Sequence, residues 1–298
     1  MSLNTALKTL DTEKAGLHVL SDEDIHLIHN QLMNMMRDIA NACNEENISW
    51  ALGGGNILGA VRHQGFIPWD DDIDITMTRG EFERFRKIFS SKLNSKYKLV
   101  VPGDEGYLFH FPKIYDTSVD YQEFHSKGID MKGLSIDIFI LDNAHNSKLN
   151  RFWQGTCCMV YRGIVSTLRV ERSKDIYIRC SQYSEELRKS VNKRLFIAKF
   201  FHFRSMEKWL VKADKYFSKV DDDNSKYVVV ANGAAKYFRE IYERKKLCDL
   251  QLAHFETEEW PIPSDADYYL SKRYGKSYME MPSKEKREKH VVLKYSVS

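Results

Sequence analysis

Several features that define other classes of protein are missing from this sequence. It has five cysteines in 298 residues, an odd number without a C-x-x-C pair, which argues against a disulfide framework and a zinc knuckle. The chain does not open on a basic-then-apolar signal pattern, and it lacks a run of 18 apolar residues. The net charge of +3 is too small for a typical nucleic-acid-binding protein. We therefore expect a soluble cytoplasmic protein with no nucleic-acid partner.

The hydrophobic pattern is typical of helices in some parts of the chain and of strands in others. Apolar residues recur at helical spacing from Ile25 to Cys43, and Ser21 precedes them as a helix cap. Short stretches between residues 48 and 143 are rich in isoleucine, valine and aromatic residues, which predicts strands with intervening helices. From about residue 147 helical patterns dominate. This arrangement suggests an α+β or α/β fold.

Four aspartates crowd into five positions of the segment GFIPWDDDIDITM. Side chains alternate faces along a strand, so the apolar residues of DDIDITM point to one face while Asp72 and Asp74 point to the other. Adjacent carboxylates on a rigid strand are oxygen ligands of the kind that Mg²⁺ prefers, and a divalent ion turns their repulsion into attraction. The alternative is an exposed edge strand with solvated acids.

A glycine turn and a third acid strengthen the first interpretation. GGGN at residues 53–56 stands between a predicted strand and a helical turn, where glycines admit a ligand and helix N–H groups face phosphate. Asp137 is the lone acid of the apolar strand LSIDIFI, although a position at the wet end of that strand is the alternative. If the two strands are neighbours, three carboxylates suit metal-assisted phosphoryl transfer, with Asp137 accepting a proton from the attacking hydroxyl.

A glycine turn, a D-x-D strand and a later lone acid resemble the nucleotidyltransferase fold. Within that superfamily, GGGNILGAVRHQGFIPWDDDIDITM is similar to the signature of the LicD family, which contains bacterial phosphocholine transferases and is related to fukutin-type ribitol-phosphate transferases. FPKIYDTSVDY, SIDIFILD and the tail WPIPSDADYYLSKRYGKSYMEMPSKEKREKH also match in order. The resemblance runs from about residue 40 to residue 290, with a diverged middle near 150–225.

This resemblance implies an α+β fold with a nucleotidyltransferase-like mixed β-sheet core flanked by helices and a largely helical C-terminal half. We expect a loose arm over 1–20, a catalytic core over 21–146 and a mostly helical region over 147–298 that completes the acceptor side. The implied reaction moves a phospho-alcohol from a CDP-activated donor to a hydroxyl of a cell-surface glycan and releases CMP. Phosphocholine from CDP-choline is the leading candidate, and glycerol- or ribitol-phosphate donors stay open.

The resemblance also assigns roles to individual positions. Asp72, Asp74 and Asp137 are the implied catalytic and metal-ligating residues, with Mg²⁺ as the expected ion and Mn²⁺ as the alternative. The glycines Gly54 and Gly55 are expected beneath the donor diphosphate. Asp70, which alternation places on the Asp72 side, is expected to support the acids, and His290 is read as a structural or lid residue.

Four more side chains complete the predicted substrate site. Asn56 stands where the family usually has a small hydroxyl residue, and its amide can donate to phosphate. Arg62 and His63 are read either as phosphate or nucleotide contacts or as surface charges on a short helix. Lys113 either places a point charge on the diphosphate or discourages pairing at a sheet edge.

Two questions stay open at this stage. The stretch 187–215 mixes basic and aromatic residues and is read either as a surface for a lipid-linked glycan at the membrane or as an ordinary helix. The competing activity is a nucleotidyltransferase that uses ATP or CTP and releases pyrophosphate, although the long segment GAVRHQGFIPWDDDID argues against it. A catalytically dead binding subunit is the third hypothesis, and the presence of all three carboxylates speaks against it.

Overall fold

The computed structural model describes residues 18–123, 132–283, 287 and 291–296. His290 and most of the expected loose arm lie outside these residues. The strands, in chain order, are β1 His18–Val19, β2 Ala51–Leu52, β3 Ile73–Thr78, β4 Tyr97–Val100, β5 Lys113–Asp116, β6 Asp120–Glu123, β7 Leu134–Ala144, β8 Tyr227–Val229, β9 Ile241–Glu243, β10 Leu250–Phe255, β11 Glu258–Pro263 and β12 Val291–Ser296.

The helices have clear boundary signals. Ser21 caps the first helix as predicted, because its Oγ accepts a hydrogen bond from the Asp24 N–H at 3.1 Å while Asp24 accepts from the Ser21 N–H at 2.9 Å. The α-helices are α1 Asp22–Glu45, α2 Gly54–His63, α3 Arg79–Lys92, α4 Lys148–Arg172, α5 Lys174–Ser181, α6 Glu185–Ala198, α7 Met206–Phe217, α8 Arg244–Cys248 and α9 Ala266–Tyr274.

The main sheet is mixed. Its strand order is β2-β3-β7-β5-β4, in which β3 and β7 run parallel and the other neighbours pair antiparallel. The far end of β7 pairs with β8, and β8 pairs with β9. Separate pairings join β10 to β11 and place β12 between β1 and β6. The structure thus confirms a mixed α and β fold with a mixed sheet.

Alternation along β3 and β7 separates the core from the polar face. Ile73, Ile75 and Met77 are buried, as are the isoleucines of β7. The helices α1 and α3 pack against this apolar face and bury it. At about 25 cal/mol for each Å² of apolar surface removed from water, this burial favours the register that sends the isoleucines inward. The acids on the opposite face are therefore held in place by a rigid core.

The second half of the chain is tied to the same sheet. It packs α4 and α7 around its own apolar cluster, and β8 and β9 extend the sheet beyond β7. Arg79, at the start of α3, pairs with Asp142 at 2.8 Å and with Asp214 of α7 at 3.0 Å. Burial raises the pKa of the Asp142 carboxyl to about 6, while Arg79 opposes the shift. The expected helical C-terminal half is confirmed, with the short strands β8 to β11 added to it.

Within the described part of the chain, no helix is both long enough and apolar enough to span a bilayer.

Candidate active site

Two acids and a lysine lie in one row across three neighbouring strands. Asp74 of β3 faces Asp137 of β7, and Asp137 faces Lys113 of β5. Asp72 comes immediately before β3 and, two residues from Asp74, lies on the same face. The predicted adjacency of the two acidic strands is therefore observed.

The glycine turn packs directly against these acids. The Gly53 N–H donates to the Asp74 carbonyl oxygen at 2.8 Å. Gly54 has φ +50°, and a Cβ there would collide with the Asp74 carboxylate. A Cβ on Gly55 would lie 3.1 Å from Asp70 Oδ2. The structure therefore requires glycine at position 54 for two reasons: a side chain would collide with the Asp74 carboxylate, and the positive φ is unfavourable for other residues. From the sequence we expected only that glycine leaves room for a ligand.

The start of α2 retains hydrogen-bonding capacity beside the acids. Gly53 caps this helix without a side-chain hydrogen bond, so the first turn depends on backbone groups alone. Among the described residues, the N–H groups of Gly54 and Gly55 have no hydrogen-bond partner. Unpaired N–H groups at a helix N-terminus favour a phosphate or another anion.

Asn56 holds the strand that carries the acids. Its side chain is 3% exposed, its Nδ2 donates to the Asp72 carbonyl oxygen at 3.2 Å, and its Oδ1 accepts from the Asp74 N–H at 2.6 Å. The amide therefore fixes the backbone on both sides of Ile73 and with it the direction of the two carboxylates. The predicted contact between Asn56 and phosphate stays untested, and the observed contacts are with backbone.

The carboxyl groups of Asp72, Asp74 and Asp137 influence one another, so it is unfavourable for more than one of them to be ionised. Desolvation and then Asp137 raise the pKa of Asp74 to about 8, although Lys113 opposes the shift. Desolvation, followed by the charge of Asp74, also raises the pKa of Asp72, even though this residue is exposed to solvent. Because Asp72 is exposed, we attribute the rise in its pKa more to the charges of the neighbouring carboxylates than to burial.

Lys113 supplies one positive charge to this row. Its side chain is 5% exposed, and its Nζ lies 2.8 Å from Asp137 Oδ1 and 3.2 Å from Ser135 Oγ. The prediction that Lys113 reaches the diphosphate stays untested, since the contact observed is an ion pair with the third acid. It is not an edge lysine, because β5 is paired on both sides.

The donor set fits a divalent cation. Two repelling carboxylates on one strand, Asp72 and Asp74, gain most from a cation between them, and their oxygens are the ligands that Mg²⁺ takes. Within the described residues, no three acidic, histidine or cysteine side chains are already gathered as a closed set of metal ligands. One Asp137 oxygen is instead 2.8 Å from the ammonium group of Lys113.

Arg62 and His63 have protein partners. Arg62 donates to the Tyr278 carbonyl oxygen at 2.7 Å and to His63 Nε2 at 3.0 Å, and the His63 ring stands edge-on to Trp69. Burial and then Arg62 lower the pKa of His63, so it is neutral at pH 7. These contacts tie the end of α2 to the segment around Tyr278, and a substrate contact for either residue stays a prediction.

Arg273 is a cation of this site that sequence reasoning missed. It lies near the end of α9, 3.7 Å from Glu240, and its charge lowers the pKa of Asp74. The neighbouring Tyr274 is partly exposed, and its pKa is raised by burial, with contributions from the charges of Asp74 and the other acids. The only signal in the sequence was that both lie in the tail segment that resembles the LicD family.

The fold and the site define a class of protein. A glycine turn, a D-x-D strand and a third acid on the parallel neighbouring strand are the arrangement expected from the resemblance to the nucleotidyltransferase fold. Residues 47–165 match the family model described as "LicD/FKTN/FKRP, nucleotidyltransferase domain". Residues 47–165 are therefore similar to the nucleotidyltransferase domain of the LicD family.

The similarity to a named relative extends well beyond this domain. The chain is 27% identical over 252 residues to the "Lipopolysaccharide cholinephosphotransferase LicD" of Haemophilus influenzae, covering 83% of this chain and 88% of that protein. Two shorter similarities are to uncharacterized rickettsial proteins. One, from Rickettsia typhi, is 29% identical over 102 residues, which are 31% of this chain and 33% of the relative. The other, from Rickettsia prowazekii, is 48% identical over 44 residues, 15% of this chain and 16% of the relative.

Proposed function

We propose that this protein transfers phosphocholine from CDP-choline to a hydroxyl of a cell-surface glycan, in the manner of a lipopolysaccharide cholinephosphotransferase, and releases CMP. The observation that carries the proposal is the row of Asp74, Asp137 and Lys113 beside a helix N-terminus with unpaired N–H groups. The similarity over 83% of the chain to the Haemophilus enzyme supports the choice of donor and acceptor class.

Asp72 and Asp74 are the proposed holders of a Mg²⁺ ion, with Asp137 as the third ligand and Mn²⁺ as the alternative metal. When bound, the ion neutralises phosphate charge and stabilises the departing CMP. Asn56 contributes by fixing the backbone between the two acids.

The other residues orient the reactants. The N–H groups of Gly54 and Gly55 donate to donor phosphate oxygens, and Arg273 adds positive charge on the same side of the acids. The acceptor oxygen forms a bond to the choline-bearing phosphorus, the bond from that phosphorus to CMP breaks, and CMP leaves with the electron pair. Asp137 accepts the hydroxyl proton, while its ion pair with Lys113 holds the carboxylate in position.

A product assay tests the proposed reaction. The purified protein is incubated with CDP-choline, CDP-glycerol or CDP-ribitol and a lipopolysaccharide acceptor, with Mg²⁺ or with EDTA, and CMP is measured. We expect CMP release that requires acceptor and Mg²⁺ and is fastest with CDP-choline. Pyrophosphate released from CTP or ATP would instead support the competing nucleotidyltransferase.

We also propose a cytoplasmic enzyme that works at the inner face of a membrane on a lipid-linked acceptor. The supporting feature is a basic–aromatic surface of α6, α7 and the turn between them, formed by exposed phenylalanines beside a groove of about 370 Å³ that is lined by four cations and one acid, Glu207. Phe203, 74% exposed, meets Trp209 edge-on, and the groove residues Arg204 and Lys212 lie over the same indole. The residues of this surface are Phe196, Phe200, Phe203, Arg204, Lys208, Lys212 and Lys215.

Vesicle flotation tests this surface. Exposed aromatic rings beside cations favour a bilayer that contains anionic lipid, with binding that weakens as salt is added. The wild type should therefore float with phosphatidylglycerol vesicles at low salt, and a variant with serine at all three phenylalanines should not. Phe152→Ser is the control, because Phe152 is also exposed but packs on Phe238 outside this surface. Equal flotation of both variants would refute the membrane contact.

A further inference from the structure

Among the described residues, a stripe of arginines on α4 and α6 has no carboxylate within ion-pairing distance. Arg162, Ser166 and Arg169 are spaced four and three residues apart, so they lie on one face of α4. Arg194 of α6 reaches the same face, where its Nη1 donates to Ser166 Oγ at 2.9 Å. Three guanidinium groups therefore share one short stretch of helix surface, and we call this set the arginine stripe.

The members of the stripe repel one another. Burial, with a smaller contribution from the charge of Arg169, lowers the pKa of Arg162 to about 10, although Glu240 opposes the shift. Burial and Arg169 also lower the pKa of Arg194. Throughout the described chain, none of the three has a carboxylate within ion-pairing distance. Glu240 acts on Arg162 from a greater distance, but it is already bound by Arg273, the Tyr242 hydroxyl and the Ala235 N–H.

Two buried nitrogen atoms at the stripe also lack hydrogen-bond partners. His110 is 8% exposed, lies within the field of Arg162 and Arg169, and has no hydrogen-bond partner at Nδ1. Arg169 Nε is likewise buried without a partner. Arg162 donates a hydrogen bond to the Ala231 carbonyl oxygen at 2.7 Å, and Asn232 donates one to the His110 carbonyl oxygen at 3.2 Å. The segment that contains Ala231 and Asn232 therefore positions both Arg162 and His110. Buried charges and donors that remain unpaired are costly unless a ligand completes them.

The stripe begins close to the catalytic row. Lys113 Nζ lies 4.8 Å and Arg169 Cζ 5.5 Å from the centre of the same Phe109 ring. These two cationic groups are therefore separated by roughly 10 Å at most. Lys113 in turn touches Asp137 at 2.8 Å. The separation of Lys113 and Arg169 is short enough for a substrate that reacts at the acids to place a second charged group against the arginine stripe.

The position of the stripe selects one of the two substrates. Across the sheet the order is the glycine turn beside β2, then Asp74 on β3, Asp137 on β7 and Lys113 on β5. The donor diphosphate is proposed at the glycine end, and Phe109 links the stripe to Lys113, the member of the row farthest from that end. Building on the proposed function, we propose that the arginine stripe binds a phosphate group carried by the acceptor glycan and so presents a neighbouring hydroxyl to Asp137. Guanidinium groups suit this task because they donate in a planar fork that matches phosphate oxygens.

Binding of inorganic phosphate to the full chain tests the stripe without any turnover. The titration is carried out in EDTA at constant ionic strength, so that no metal recruits phosphate to the acids. The wild type should bind phosphate, Arg169→Gln should bind it about ten- to a hundredfold more weakly, and Arg169→Lys should fall between them. Arg172→Gln is the matched control, because Arg172 is on the same helix but is exposed and paired with Glu207. Equal phosphate affinity in the wild type and Arg169→Gln would overturn the proposal.

A second arm separates acceptor from donor. With Mg²⁺ present, Arg169→Gln should bind CDP-choline as the wild type does, while its KM for a phosphorylated acceptor rises about tenfold and its KM for the dephosphorylated acceptor does not. A loss of CDP-choline affinity as large as the loss of phosphate affinity would assign the stripe to the donor and overturn the proposal. Arg194→Gln repeats both arms at a second position. Failure of the transferase assay would count against the proposed function, whereas the phosphate arm decides the stripe on its own.

Discussion

Replacement of Asp74 by asparagine should change how the stability of the metal-free protein depends on pH. The Asp74 carboxyl faces Asp137 across the sheet, and burial together with this neighbour raises its pKa from 3.8 to about 8. The folded protein therefore keeps a proton on Asp74 at pH values where the unfolded chain has lost it. Asparagine is neutral at every pH, so Asp74→Asn removes this dependence.

The sign and size of the effect follow from linkage. Protonated Asp74 stabilises the fold fully below pH 3.8, and this contribution is lost as the pH rises toward 8. One pKa unit corresponds to about 1.4 kcal/mol, so the whole shift sets an upper limit of about 6 kcal/mol. The carboxyl is only half-buried, and solvent screening reduces the expected effect to about 2–3 kcal/mol.

Urea denaturation at pH 5 and pH 8 in EDTA measures this difference. Part of this effect is already lost between pH 3.8 and pH 5, so between pH 5 and pH 8 the wild type should lose about 1 kcal/mol more of its free energy of unfolding than Asp74→Asn loses. Added Mg²⁺ at pH 8 should stabilise the wild type and leave the variant nearly unchanged. Asp221→Asn, at an exposed acid of a turn, should behave as the wild type. The same pH dependence in the wild type and Asp74→Asn would refute the reasoning.

Three further substitutions probe the same site. Asp137→Asn should lower the rate of CMP release by about 10²–10⁴-fold without loss of fold, and a loss below tenfold would argue for a peripheral role. Asn56→Ala leaves the buried Asp74 N–H unpaired, so urea denaturation should show a loss of about 1–3 kcal/mol and titration a weaker Mg²⁺ affinity, while Asn56→Ser should retain more of both. Gly54→Ala places a Cβ against the Asp74 carboxylate at φ +50° and should lower both the melting temperature and CDP-choline binding. The control Gly163→Ala, which has open space at its Cβ, should lower neither.

Some site residues were predictable from local pattern because their placement depends on neighbours in sequence. Strand alternation put Asp72 and Asp74 on the face opposite the buried isoleucines, and the structure confirms that alternation. The strand-to-helix position of GGGN likewise placed Gly54 at the start of α2. Asp137 could be singled out as an acid among apolar residues, although its neighbour across the sheet could only be guessed.

Contacts between distant segments depended on the register of the sheet, which local patterns do not determine. A contact of Lys113 with the donor stays a prediction, and the antiparallel pairing of β5 with β7 adds an ion pair with Asp137 that local patterns did not indicate. A phosphate contact of Asn56 likewise stays a prediction, and the two hydrogen bonds of its amide to the backbone around Ile73 were not indicated by local patterns. Arg273 acts on Asp74 because α9, near the end of the described chain, packs against α2, the helix that follows the glycine turn.

The sequence by itself determined the class of chemistry, because the glycine turn and the alternating acids are encoded within a few consecutive residues. The tertiary structure alone decided which charges meet. In the sequence, Arg162 and Arg169 are isolated cations of a diverged helical segment. In the structure, α6 brings Arg194 to Ser166 between them, and Arg169 and Lys113 lie near the same Phe109 ring. The physical reason is that side-chain periodicity is a local property of the backbone, whereas electrostatic pairing depends on distances that exist only after the sheet and helices have packed.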